Sequence, residues 1–376
     1  MAEQKTWKPL ELIKVTADYL ATKNVPSPRL DAEVLLCAVL GLKRRVDLYA
    51  GFETEISGKN LDAFRELIRR RSLREPVSRI LGRREFMGID FAVTPDVLSP
   101  RPETELLVEA VLECVNPKKN TLPPEEVEET QPVAEEETQA GGDDAMAADL
   151  EKLLDSYAED VDDENDIDAA PVQAKPVPRQ AAPARRQRNA PAIAAKRGKA
   201  ETSAVRALVL DLGTGSGCIA VSIAAHLPGA RVVAVDASPK ALAVAKKNAA
   251  KANVAERVDF RQGDWFAGCR DGEAFDFVVS NPPYLVEGDA EIWPEVAQYD
   301  PPAALYGGRD GLDCYRRIVP DAPLWLAPEG WLFLEVGAEQ AKRVAELLAR
   351  RGFREVTVVA DYGGIERVVK GKAPLP

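Results

Sequence analysis

Ala207-Leu208-Val209-Leu210-Asp211-Leu212-Gly213-Thr214-Gly215-Ser216-Gly217 is the stretch that decides the fold. Its apolar opening, Ala207–Asp211, reads as a buried strand, and glycines at alternate positions then turn the chain tightly into a helix, Gly217–His226. Downstream the same alternation continues. Strands are expected at Arg231–Asp236, Val258–Arg261, Phe275–Val279 and Gly330–Val336, with closing strands at Glu355–Ala360 and Glu366–Lys370. Helices are expected at Lys240–Asn253, Leu312–Ile318 and Gln340–Arg350. Strand and helix in alternation predict an α/β fold, a seven-stranded doubly wound sheet over residues 205–376.

The glycine loop narrows the ligand. Its G-x-G-x-G spacing differs from the dinucleotide pattern G-x-G-x-x-G, and no Lys-Ser/Thr pair follows to make a P-loop. Asp236 ends the next strand, where its carboxylate suits both hydroxyls of a ribose; capping the helix that starts at Ser238-Pro239 is the plainer alternative. Gly263-Asp264-Trp265 follows the third strand. Asp264 is a candidate acceptor for an adenine amine and Trp265 a cover for the ring, or the three form a surface turn. The expected donor-binding set is Asp211, Gly213, Thr214, Gly215, Ser216, Gly217, Asp236, Asp264 and Trp265, completed by Asn281.

Asn281-Pro282-Pro283-Tyr284 follows the apolar run Phe275–Ser280. An Asn side-chain oxygen beside a Pro backbone carbonyl makes two fixed acceptors, which suit a planar NH2 on an amide or a base. Tyr284 adds a ring to pack on the same plane. Paired with the glycine loop upstream, this motif points to a methyl donor facing a nitrogen acceptor, and S-adenosylmethionine fits better than NAD.

Composition sets the outer limits. The net charge is −12, so no global basic field recruits nucleic acid. Most of that acidity is local: residues 125–168 carry nineteen acids and one lysine, whereas 175–199 carry eight bases and no acid. Residues 117–204 read as a disordered low-complexity insert. Within it Leu150, Leu153, Leu154 and Tyr157 recur at helical spacing, either a transient helix or a docking one. Five scattered cysteines without a C-x-x-C pair, and the single His226, argue against zinc, disulfides and a His-ligated metal. His226 suits a helix C-terminus instead. No apolar run approaches a membrane span, and the N-terminus lacks a signal-peptide core. A monomer in a reducing cytoplasm is expected.

Residues 1–80 carry helical spacings, as in Leu10, Ile13, Ala17 and Leu20, and predict a small helical N-terminal domain for packing or substrate recruitment. Residues 81–116 read as a hairpin around Phe86, Gly88, Ile89 and Phe91, then a proline-held segment leading to a helix from Thr104-Glu105.

Taken in order, Ser99-Pro100-Arg101-Pro102-Glu103-Thr104-Glu105, the loop Asp211–Gly217, Asn281–Tyr284, Asp300–Leu312 with Tyr315-Arg316, and Leu334-Glu335-Val336-Gly337 with Gln340 resemble the bacterial release-factor glutamine methyltransferases. The resemblance spans residues 5–115 and 205–371, and the insert departs from it. It implies an S-adenosylmethionine-dependent methyltransferase that modifies the glutamine amide nitrogen in the Gly-Gly-Gln motif of class-I peptide chain release factors. Asn281, Pro282 and Tyr284 would carry the catalysis. Asn281, Pro282, Pro283, Tyr284, Arg101 and Glu103 would bind the substrate, although Arg101 and Glu103 equally suit an interdomain ion pair. The loop Asp300–Leu312 would wall the acceptor site, or its glycines simply turn the chain.

Three rivals share these features. One is glutamine methylation of a ribosomal protein, a related family without the Arg-Pro-Glu-Thr-Glu segment. Another is methylation of an exocyclic base amine, against which no basic cluster stands in the folded regions. The third is a non-catalytic release-factor partner, which an intact donor loop and acceptor motif disfavour.

Overall fold

The computed structural model describes residues 6–56, 58–115, 206–288 and 293–375. The disorder expected over 117–204, and the possible docking helix at 150–157, lie outside the described residues.

Five helices open the chain: α1 (Pro9–Thr22), α2 (Pro28–Leu40), α3 (Val46–Ala50), α4 (Gly58–Ser72) and α5 (Val77–Leu81). Their ends follow local chemistry. Proline occupies the first turn of α1 and α2, where its missing N–H costs nothing. Gly41 and Gly82 close α2 and α5 in the left-handed region. The apolar faces meet in one core around Leu12, Leu20, Leu35, Leu36, Phe64 and Ile68.

Strands β1 (Arg83–Phe86) and β2 (Ile89–Ala92) form the antiparallel hairpin. Its two-residue turn puts Met87 and Gly88 at φ 50° and 71°, the handedness that matches strand twist. A short 3₁₀ turn, Pro102–Thr104, then leads into α6 (Glu105–Val115).

The large sheet contains β3 (Leu208–Leu212), β4 (Arg231–Asp236), β5 (Val258–Gln262), β6 (Phe275–Ser280), β7 (Leu326–Glu335), β8 (Arg354–Ala360) and β9 (Glu366–Lys372), in the order β5-β4-β3-β6-β7-β9-β8. The first five are parallel, and β9 runs antiparallel to both of its neighbours. The central strands are apolar on both faces, as a covered parallel sheet requires. Val209, Val232, Phe277 and Val279 pack with α6 and the helix Cys218–His226 on one side. Leu210, Val233, Val278 and Leu332 pack with the helices Asp313–Asp321 and Ala341–Arg350 on the other.

One strand starts earlier than its sequence suggests. The fifth strand is expected to begin at Gly330, yet β7 begins at Leu326. A bulge absorbs the difference, with the register shifting between Phe275 and Phe277 and Glu329 at φ 66°.

Candidate active site

Both motifs lie at the C-terminal edge of the parallel strands, the end at which open α/β sheets bind ligands. The glycine loop leaves β3 and is pinned to β4. Gly213 and Thr214 donate their backbone N–H groups to the Val235 carbonyl at 2.9 and 3.0 Å. Gly213, Gly215 and Gly217 all have positive φ. At Gly217 a side chain is also excluded by Ala245, whose Cβ would lie 2.9 Å from an added one. Asp236 ties the loop to the following helix, accepting from Gly215 N–H and Ser238 N–H at 2.8 Å each. Ser238 caps that helix through Ala241 N–H. The cap of that helix is thus Ser238 and not Asp236, which instead holds the glycine loop, and each of its carboxylate oxygens retains acceptor capacity.

Asp211 is fully buried, and its Oδ2 accepts from Thr214 Oγ1 at 2.6 Å. Burial raises its carboxyl to about 7. Its visible work is inside the loop, holding the turn in shape. Trp265 stands beside Gly213, 3.8 Å from where a Cβ would sit, and has φ 52°. Asp264 is ion-paired with Arg317, whose guanidinium also lies 5.9 Å from the Trp265 ring centre. Asn248, which carries no motif signal, holds three segments together: its amide bonds Ala92 O, Ala92 N and Ser216 O.

The acceptor motif leaves β6. A cavity of about 600 Å³ opens beside it, bordered by Arg101, Glu103, Asn281, Pro282, Tyr284, Glu295 and Arg367 among others. A smaller one of about 40 Å³ is bordered by Gly213–Ser216, Thr104, Arg101 and Asn281. Asn281 and Arg101 thus stand where the glycine loop meets the larger cavity. Pro283 borders neither; its carbonyl faces Gly307, where an added Cβ would come within 2.6 Å of it.

Several residues outside the four-residue motif fix its backbone. Gln340 donates from Nε2 to the Tyr284 carbonyl at 2.8 Å and accepts from Gly337 N–H at 3.1 Å. Gly337 leaves room for the Tyr284 ring, since a Cβ there would lie 3.0 Å from it. The chain after Tyr284 is laced to the loop 300–312: Leu285 N–H donates to the Leu305 carbonyl and Gly307 N–H to the Leu285 carbonyl, each at 2.8 Å. Close approach to the motif accounts for Gly307 and Gly311, so they are more than turn residues. Burial drives the Tyr284 phenol well above its ordinary value, so it stays neutral.

Arg101 is paired with buried Asp300 at 2.6 Å, and Arg79 of α5 reaches the same carboxylate at 2.7 Å. Arg101 therefore has both roles that its position allows, as a cavity wall and as an ion-pair partner. Glu103 borders the cavity and is exposed. Thr104, Glu295, Glu335 and Arg367 were not singled out by sequence. Thr104 and Glu335 lie within quoted motifs, but Glu295 and Arg367 have no local signal.

Residues 11–82 match the family described as PrmC N-terminal domain, and residues 200–298 the one described as methyltransferase small domain. Release factor glutamine methyltransferase from Geobacter sulfurreducens is 37% identical, covering 97% of each chain. The proteins of that name from Koribacter versatilis and Chlorobaculum tepidum are 33% and 34% identical, covering 95% and 98% of both partners. Identity of this extent, over both domains at once, means that the chain belongs to the release factor glutamine methyltransferase family.

Proposed function

We propose that this protein methylates the side-chain amide nitrogen of the glutamine in the Gly-Gly-Gln motif of class-I peptide chain release factors, with S-adenosylmethionine as methyl donor. One observation carries the reading: Asn281 borders both the glycine loop and the larger cavity. A nitrogen held by Asn281 thereby faces the donor side.

The donor residues fit a nucleoside. Gly213 and Gly215 present bare backbone, Asp236 offers a partly exposed carboxylate, and Trp265 flanks the loop with an apolar face. When bound, S-adenosylmethionine supplies an electrophilic methyl group on a sulfonium.

An amide nitrogen is a poor nucleophile because its lone pair is delocalised into the carbonyl. The Asn281 Oδ1 and Pro282 carbonyl would accept its two protons, fixing the nitrogen for attack. The same two dipoles stabilise the positive charge that develops there. Tyr284 packs on the flat amide as a neutral ring. No strong base is needed, because an N-methylated amide cation loses its proton readily. Arg101 and Glu103 shape the entrance. The protein acts as a cytoplasmic monomer with a protein substrate and without direct nucleic-acid contact. Among the described residues no helix is long and apolar enough to cross a membrane.

Mass spectrometry of an unmodified release factor, incubated with the protein and S-adenosylmethionine, tests this. One added methyl on the Gly-Gly-Gln peptide is expected, with the rate falling on the order of 10²-fold in Asn281→Ala. Donor binding without any methyl gain would overturn the substrate assignment.

A further inference from the structure

The amide of Asn281 has two faces, and only one can serve the reaction. Its Oδ1 must look into the cavity, so its NH2 must be held by the protein. Asn281 Nδ2 donates to Thr104 Oγ1 at 3.1 Å. Thr104 lies in the Arg-Pro-Glu-Thr-Glu segment and is 2% exposed. Beneath both sits Glu335, the last residue of β7, 1% exposed, and the neighbouring Thr104 and Asn281 side chains act to lower its carboxyl. Its Oε2 has no partner.

We infer that Thr104 and Glu335 are positioning residues for Asn281: Thr104 takes up one of its amide protons, the buried Glu335 carboxylate favours the NH2 over Oδ1 on its side, and together they lock the carboxamide with Oδ1 facing the acceptor nitrogen. The inference rests on the function proposed above.

The chemistry of the three groups enforces one arrangement. A carboxylate only accepts. Turning the Asn281 amide over would set Oδ1 against the Glu335 oxygens and leave both without a proton between them. The Thr104 hydroxyl accepts from Asn281 at 3.1 Å, which leaves its own proton available to turn toward the Glu335 carboxylate. Such networks polarise one another in a low-dielectric interior. Negative charge on Glu335 draws the Asn281 NH2 and makes Oδ1 a stronger acceptor. That field also favours the cation that forms on the target nitrogen. A buried carboxylate would be an expensive way to fill this volume if packing were its only role.

The groups facing Glu335 are Thr104, Asn281, Glu103, Arg367, Tyr284, Tyr315 and Cys218. Burial foremost, and then the Glu103 charge, raise its carboxyl to about 7, while Thr104, Arg367 and Asn281 oppose them. The tyrosines and the thiol are neutral near that pH; Asp211, inside the glycine loop, is the other carboxyl that burial raises to about 7.

The test compares Thr104→Val, Thr104→Ser, Glu335→Gln and Asn281→Ala in the full-length protein. Single-turnover methylation of a release factor is followed by mass spectrometry, and S-adenosylmethionine affinity by titration calorimetry. Thr104→Val and Glu335→Gln should each lower kcat about tenfold or more, with KM and donor affinity changed less than about threefold. Thr104→Ser should restore most of the rate. In an Asn281→Ala background Thr104→Val should cost nothing further, because it acts only through Asn281. The wild-type rate should rise through about pH 7, and Glu335→Gln should remove the Glu335 part of that rise, which leaves any contribution from Asp211. Near-wild-type kcat in both variants, beside a slow Asn281→Ala, would overturn this inference and leave the proposed function standing. A fast Asn281→Ala would overturn both. A fall in rate for Thr104→Val that persists in the Asn281→Ala background would mark a merely structural role and also overturn it.

Discussion

Gly311 shows how tightly single residues set this site. Its φ is 71°, and an added Cβ would fall well inside contact of the Tyr284 carbonyl oxygen and Gln340 Nε2. That is the hydrogen-bonded pair that holds the acceptor motif. Gly311→Ala therefore combines backbone strain with displacement of the motif, and should cost about 1–3 kcal/mol of stability. Its methylation rate should fall more steeply than its donor affinity. Unchanged turnover would show that the Tyr284 carbonyl is free to move. Glu335 supplies a second expectation at this scale. Its folded-state carboxyl lies near 7, above the ordinary carboxylate value. The folded protein therefore binds the extra proton, and the stability linked to it is fullest below the unfolded value and is lost as pH rises to about 7. The stability of the wild type minus that of Glu335→Gln should fall over roughly pH 4.5 to 7 and then level off. Thermal melts across that range check the sign.

Elements divide by how far apart their determinants lie in sequence. The glycine loop, the hairpin and most strand and helix bounds were legible because their signals are local: apolar period, glycine at turns, proline in first turns. The Asn281 motif was legible because four consecutive residues carry it. The support around it was not. Thr104 meets Asn281 across 177 residues of sequence separation, and Arg71 meets Glu295 across 224; no periodicity encodes such a pair. Asp211 illustrates a subtler gap. Its place at the strand end suggests ligand contact, whereas the fold encloses it behind Thr214. Asp236 joins both kinds of signal, as a strand-end acid that also links loop to helix. In Asp236→Ala the Gly215 and Ser238 N–H groups lose their acceptor, and the loop loses its tie to the next helix. Donor affinity should fall about tenfold or more, read by calorimetry, while release-factor binding in pull-down stays intact. Wild-type donor affinity would reduce Asp236 to a tie between the loop and the next helix.

Across the whole molecule, the helical part is tied to the acceptor side by charge. Arg71 of α4 and Arg74, in the turn just after it, pair with Glu295, which also borders the large cavity, and Arg79 meets Arg101 on Asp300. These pairs are largely buried and hydrogen-bonded, so loss of one member would leave an uncompensated charge. They join the N-terminal helices to the wall of the site rather than to the sheet's far edge. That far edge is where the insert departs and returns. Cys114 and Val115 at the end of α6, and Arg206 and Ala207 before β3, border one cavity of about 350 Å³ together with Asp276 and Gly330. Those residues stand at the start of the parallel strands, whereas the glycine loop and Asn281 stand at their ends. Five strand residues separate the two edges, about 17 Å. The flanks already lie together, so a short linker suffices to close the chain there. Replacing residues 118–203 by a brief Gly-Ser linker should keep kcat/KM for a release factor within about threefold of wild type, since loop closure costs little over such a change in length. Donor affinity should not move at all. A folded, donor-binding deletion variant that had lost more than tenfold in kcat/KM would mean that the insert takes part in capturing the substrate, and the two domains alone would then be an incomplete enzyme.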